Sequence, residues 1–150
     1  MMGHMANEFY YCISLSIVHP TIDPAIITKA IPELRPKIET MAGTIRRDKG
    51  NKPIVPERTA SLSHWLAELH PEEKLYSGSK PICEFIFERL NDLDPHRDLF
   101  AHLRKAGQVS LRIGWFMESN YSAELLDAET LRRCGELGLD VELNVYAMPV

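Results

Sequence analysis

The side chains that could carry out chemistry are few and widely spaced in this 150-residue chain. Asp98 and His102 are four residues apart on a predicted helix, so they would share one face. A zinc site needs three or four ligands, and the chain contains neither an HExxH nor a CxxC motif. His96 would point elsewhere. The pattern favours a solvated helix face, and we predict neither a metal site nor a cofactor.

The candidate nucleophiles occupy positions that are typical of structural residues. Cys12, Cys83 and Cys134 fall within predicted helices and strands, where thiols usually pack as small apolar groups. Ser63 and His64 are adjacent, but a triad is defined by its geometry in space, and the chain has no GxSxG nucleophile elbow. We therefore predict no catalytic residues, and the sequence favours a protein that is not an enzyme.

A basic cluster lies in a turn-rich connector between two predicted strands. Arg46, Arg47, Lys49 and Lys52 surround Gly50, which stands without the further glycines of a phosphate-binding loop. The cluster could attract an acidic partner or could be the solvated loop of a hairpin. Both interpretations remain open.

Composition limits the class of protein. The chain is 45% hydrophobic and 25% charged, which predicts one globular α+β domain over residues 7–150 after a cloning remnant or disordered segment at 1–6. A net charge of −4 disfavours nucleic acid as a partner. Three widely spaced cysteines, with neither a signal peptide nor a membrane span, predict a cytoplasmic protein that does not bind membranes.

Residue periodicity places the elements that must position any site. Alternating apolar residues predict strands at 9–17, 37–47, 63–69, 109–117 and 139–145. Helices are predicted from Asp23-Pro24, over 81–93, from Asp94-Pro95, and from the cap Asp127 to Gly138. Residues 71–79 are predicted to be a loop.

The apolar positions of these elements define a predicted core. Trp65 and Trp115 fall on the buried parity of their strands, and Cys134 falls on the inner stripe of its helix. The other predicted inward-facing residues are Ile22, Ile26, Ile27, Ile31, Met41, Gly43, Ile45, Leu99, Leu103, Ala106, Leu131, Leu137, Leu139, Val141, Leu143 and Val145.

The predicted order β-α-β-β-α-α-β-α-β begins and ends with similar strand–helix–strand units. Polar residues alternate along the strands, whereas a sheet covered on both faces would have continuous apolar runs. We therefore predict a two-layer α+β sandwich, a ferredoxin-like elaboration with a mixed or antiparallel sheet and helices on one face.

The uncovered sheet face is the predicted interaction surface. Aromatic residues together with arginine are enriched at binding hot spots, although ordinary pairing of Arg112 with Glu142 explains part of the pattern equally well. The predicted outward-facing residues are Ser14, Ser16, Arg112, Phe116, Glu142, Asn144 and Tyr146.

Three functions remain open. The first is a non-enzymatic module that binds a protein partner, or itself, through the open face and the 46–52 loop. The second is a small-molecule binder or enzyme with a pocket under the 118–125 loop, where Glu118, Asn120 and Tyr121 would be the polar groups. The third is the subunit of a homodimer joined through exposed strand edges.

The chain resembles the bacterial DUF4279 family of small proteins over nearly its whole length. The resemblance is carried by Ile22-Asp23-Pro24, Gly50, Trp65-Leu66, the segment from Leu90 to Pro95 and, most specifically, the ending from Leu137 to Tyr146. It implies a fold rather than an activity. By analogy of size and context, it also suggests an immunity or antitoxin-like role.

Overall fold

The computed structural model describes residues 8–45, 50, 52 and 60–147. The strands are β1 (Phe9–His19), β2 (Pro36–Thr40), β3 (Ser63–Glu68), β4 (Leu75–Tyr76), β5 (Gln108–Met117) and β6 (Asp140–Ala147). The helices are α1 (Pro24–Ala30), α2 (Ile82–Leu93), α3 (Arg97–Arg104) and α4 (Ala128–Glu136). A 3₁₀ turn, Asp94–His96, joins α2 to α3.

The strands form one mixed sheet in the order β2-β3-β1-β5-β6, with β4 pairing with β1 beyond the end of β3. Neighbouring strands are antiparallel except β5 and β6, which are parallel and joined through α4. In the N-terminal β1-α1-β2 unit, β3 is inserted between β1 and β2, so the unit is a split β-α-β motif. The predicted α+β sandwich and element order are confirmed.

One face of the sheet carries the core. Odd-numbered side chains of β1, β3 and β5 point into it and pack against apolar residues of the four helices. Trp65 and Trp115 are buried there as predicted, and the ring of Phe9 stacks on that of Trp115 at 3.9 Å. The even-numbered side chains of the same strands form the opposite face, which we call the open face. Ser14 and Ser16 are on this face as predicted, but they are buried rather than exposed.

Local sequence explains the helix ends. Asp23 and Asp127 each accept a backbone hydrogen bond from the first turn of the helix that they precede, as predicted. Gly138 ends the α4 region with φ +76°, which favours glycine. Gly107 lies just after α3, and a Cβ atom at this position would lie 2.3 Å from the carbonyl oxygen of Val18.

The predicted strand 37–47 is wrong in extent. The strand ends at Thr40, and the chain then turns through Gly43, whose φ is +88°. Met41 is exposed. The predicted 71–79 loop contains β4, which is too short for residue alternation to reveal.

Several predicted inner positions of the helices are exposed, although Ile27, Leu103 and Cys134 are buried as predicted. In α1, Ile27 is buried whereas Ile26 is exposed, and in α4 Thr130 takes the inner position predicted for Leu131. Around α3 the prediction is correct for Leu103 only. Phe100 and Leu103 are buried, whereas Leu99 is half-buried and Ala106 is exposed beyond the helix end.

The predicted new helix start at Asp94 is also wrong. Asp94 caps the C-terminus of α2, and the chain continues through the 3₁₀ turn into α3. The Asp94 carboxylate accepts a hydrogen bond from the side chain of Arg97 at 2.8 Å.

The predicted burial of β6 is wrong. Val141, Leu143 and Val145 have the alternation of a buried strand, and they lie beside the buried β5 residues Leu111, Ile113 and Trp115. They are nevertheless 36%, 49% and 55% exposed. An edge strand has a neighbour on one side only, so alternation shows which residues share a face but not whether that face is covered.

A buried histidine joins β1 to the segment between β3 and β4. The backbone N–H of Ile13 donates to Nε2 of His70 at 2.9 Å, so the ring proton is on Nδ1, which donates to the carbonyl of Glu72 at 2.7 Å. The backbone N–H of Leu69 in turn donates to the carbonyl of Ile13. His70 thus satisfies a β1 donor where no strand partner is present.

Candidate functional site

The open face carries an aromatic row across four strands. Strand register places Tyr76 of β4, Tyr10 of β1, Phe116 of β5 and Tyr146 of β6 side by side. Tyr10 and Tyr76 have ring centroids 5.1 Å apart, and Phe116 stacks on Tyr146 at 5.0 Å with 14° between the ring planes. Lys74 Nζ lies 4.2 Å from the Phe116 ring centroid, within cation–π range.

A charged cluster lies next to the aromatic row, towards the middle of the sheet. The Nε of Arg112 donates to a Glu142 carboxylate oxygen at 2.7 Å, and Asn144 Nδ2 donates to the same oxygen at 2.8 Å. These hydrogen bonds, from Asn144 first and then Arg112, hold the pKa of Glu142 below its ordinary value. The predicted Arg112–Glu142 pair therefore exists, and the Arg112 guanidinium has an intramolecular partner.

His64 and Ser63 face opposite sides of β3. Ser63 is buried and its hydroxyl accepts from the backbone N–H of Ala42, whereas His64 points to the open face and contacts Ser16 Oγ at 3.2 Å. Burial, with the nearby positive charge of Arg112, lowers the pKa of His64. A hydroxyl and an imidazole on opposite faces cannot act as a nucleophile and its base.

The structure brings five sequence-predicted residues together on the open face: Arg112, Phe116, Glu142, Asn144 and Tyr146. The predicted basic residues Arg46, Arg47 and Lys49 lie outside the described residues. Sequence reasoning missed three members of the site. Tyr10 had the correct parity to be found, whereas Lys74 and Tyr76 belong to the segment predicted to be a loop.

The 118–125 loop is attached to the body of the protein. Ser122 Oγ accepts a hydrogen bond from Trp115 Nε1 at 2.7 Å, and the carbonyl of Leu125 accepts from the Cys83 thiol at 3.2 Å. Glu118, Asn120 and Tyr121 are exposed.

A cavity of about 930 Å³ lies elsewhere, between the loop before β2, the end of β3 and the C-terminal half of α2. Its apolar walls include Leu34, Leu69 and Leu93. Its charged lining has both signs: Arg35, Lys37 and Arg89 with Glu33, Glu68 and Asp92. The Arg89 Nε atom is buried and makes no hydrogen bond within the part of the chain that the structure describes, but it forms an ion pair with the Asp92 carboxylate at 3.4 Å. This cavity could enclose a small molecule.

The residues that were considered as metal ligands and then set aside lie on the surface, and one of the cysteines is buried. Asp98 and His102 are exposed on α3, and the described residues contain no group of three or more His, Cys, Asp or Glu side chains that could hold a metal ion. Cys134 is buried, and burial raises its thiol pKa to about 11.

Within the described ranges, no helix has the length and apolar character needed to cross a bilayer.

Comparison with protein families gives a match over residues 7–148, to the model described as a domain of unknown function, DUF4279. The chain belongs to the DUF4279 family. Comparisons with curated proteins and with solved structures gave no match. For this DUF4279 chain, the argument for function therefore depends on the geometry of the open face and of the cavity.

Proposed function

We propose that this DUF4279 chain is a non-enzymatic interaction module that binds a protein partner through the open face of its sheet. One observation carries the proposal: the aromatic row of Tyr76, Tyr10, Phe116 and Tyr146 runs in register across four strands on the face without helices. Tyrosine supplies large contact area at low entropic cost and is enriched at binding hot spots.

The charges around the row indicate what the partner would present. Lys74 is held over Phe116, and a carboxylate of the partner would pair with it while apolar side chains packed on the rings. Arg112 is already paired with Glu142, so it would position the charged cluster rather than anchor the partner. An immunity or antitoxin-like protein would be one such module, and we propose that it acts in the cytoplasm of bacteria.

The test is affinity capture with the purified chain, read by mass spectrometry. We expect Phe116→Ala with Tyr146→Ala to lose a protein that the wild type captures. Tyr121→Ala is the matched control, since Tyr121 is an aromatic residue, 61% exposed in the 118–125 loop, that is not a member of the row. A captured set that the double variant leaves unchanged, with thermal unfolding intact, would contradict the proposal.

The cavity favours a second candidate, the binding of a small organic anion. Lys37 is paired with Glu68 at 2.8 Å, whereas Arg35 makes neither a hydrogen bond nor an ion pair with the described residues. An acid group could bind at Arg35, with an apolar body against the leucine side chains, whereas Arg89 is already paired with Asp92.

Thermal shift with a panel of carboxylates and phosphate monoesters tests this second candidate. We expect a compound that raises the unfolding temperature of the wild type to have no effect on Arg35→Ala. Arg132→Ala, on the exposed face of α4, is the control that should keep the response. Equal responses of the two variants would exclude the cavity as the site.

A further inference from the structure

The two edges of the sheet differ in how they are protected. At one edge, β2 has five residues, begins at Pro36, carries Lys37 and contains a register shift before Ile38. Proline, lysine, short length and bulges are the usual devices that prevent a strand edge from pairing with another chain. At the other edge, β6 has eight residues, pairs with β5 without a shift and contains neither proline, lysine nor glycine.

The helix-side face of β6 is also apolar, and no described helix or strand covers it fully. Val141, Leu143 and Val145 continue the buried layer of β5 out to the edge, yet they are one-third to one-half exposed. Leu131 of α4 is 44% exposed. Arg133 contacts α2, and Leu131 lies about 200° around α4 from Arg133, so it is on the side of the helix that faces away from α2. A regular strand with one apolar face and a free edge has the features of an interface.

The sequence of β6 indicates that the partner at this edge is a second copy of the chain, because β6 is complementary to itself when it is reversed about Leu143. We propose that two copies of the chain pair through antiparallel β6 strands with a two-fold axis at Leu143. Leu143 then lies opposite Leu143 of the second copy, and Val141 lies opposite Val145. On the open face, Glu142 lies opposite the amide of Asn144, and no two like charges face each other.

Neighbouring registers are less favourable. An axis at Glu142 would place two carboxylates directly opposite each other, which is destabilising in a sheet. An axis at Asn144 would place Val141 opposite the smaller Ala147 and Glu142 opposite Tyr146. Only the axis at Leu143 pairs the whole Val141–Val145 strip with itself, and it joins the open faces of the two copies into one continuous surface.

Sedimentation equilibrium over a wide concentration range is the first test. We expect a species of twice the 17.1 kDa chain mass. In Leu143→Lys, two ammonium groups would meet at the axis, so the dissociation constant should rise by more than about tenfold. Ile26→Lys is the matched control, because Ile26 is 55% exposed on α1, which packs on β2 and β3 at the other end of the sheet from β6; this variant should remain dimeric.

Crosslinking tests the register. Under mild oxidation, Leu143→Cys should form a disulfide with its own copy, whereas Val141→Cys should crosslink to Val145→Cys only when the two variants are mixed. The wild type controls for the native thiols. A chain that is monomeric at every concentration, a dimer that Leu143→Lys leaves intact, or efficient crosslinking of Val141→Cys to itself would overturn the proposal.

The test of the β6 dimer can fail or succeed independently of the test of the proposed interaction module. Leu143 faces the helix side, whereas Phe116 and Lys74 are on the open face, so Leu143→Lys should weaken the dimer without removing the aromatic row. A strand of another protein captured by a monomeric chain would count against self-pairing.

Discussion

Replacement of His70 by alanine should destabilise the protein and loosen one end of the aromatic row. The ring is 6% exposed, and its Nε2 is the acceptor for the backbone N–H of Ile13. Without the ring, that donor is buried and unpaired, which costs about 1–3 kcal/mol, and the vacated volume adds a cavity term. We expect the free energy of unfolding to fall by about 2–4 kcal/mol in total.

Urea and thermal unfolding measure this change. For a domain of this size, the expected loss corresponds to a decrease of about 5–15 °C in the midpoint of thermal unfolding. His102→Ala is the control, since His102 is exposed on α3 and should change stability little. His70→Gln should lose less than His70→Ala, because its side-chain carbonyl can accept from Ile13.

A local readout distinguishes this mechanism from general loss of packing. Amide hydrogen exchange at Ile13 should accelerate more than exchange at the centre of the β1–β5 ladder, because only Ile13 loses its acceptor. Exchange at Tyr76 should also accelerate, since β4 comes directly after the joined segment. Unchanged stability of His70→Ala, or uniform acceleration across the sheet, would refute the reasoning.

Further predictions concern packing, pH and thiol chemistry. Gly107→Ala should lower the free energy of unfolding by about 1–3 kcal/mol, because the new Cβ would lie 2.3 Å from a backbone carbonyl oxygen. Gly135→Ala should raise the free energy of unfolding by about 0.5–1 kcal/mol, because Gly135 has open space around it in α4; urea unfolding measures both changes. The pKa of Glu142 is lower in the folded state than in the unfolded state, so its contribution to stability is present at neutral pH and is lost as pH falls through the folded value. Urea midpoints of wild type and Glu142→Gln should therefore differ at pH 7 and converge in acid; a gap that persists in acid would contradict this sign. Cys134 should react with maleimide at pH 8 only as fast as the protein unfolds, in a background without Cys12 and Cys83, since its thiol is buried with a pKa of about 11. Faster labelling would contradict its burial.

The sequence determined which residues share a face. A side-chain period of two results from strand geometry itself, so Phe116, Glu142 and Tyr146 could be assigned to the open face without coordinates. The helix caps at Asp23 and Asp127 could also be predicted from the sequence, because a capping side chain binds N–H groups within the first turn of its own helix.

Tertiary structure alone decided which strands are neighbours, and therefore which faces are covered. The aromatic row depends on β4 lying beside β1 and on β6 lying beside β5, and strand order is a non-local property that no window of sequence contains. For the same reason, Val141, Leu143 and Val145 have the alternation of a core strand but lie exposed at the edge of the sheet. Periodicity is set by the backbone of one strand, whereas burial is set by what packs on it.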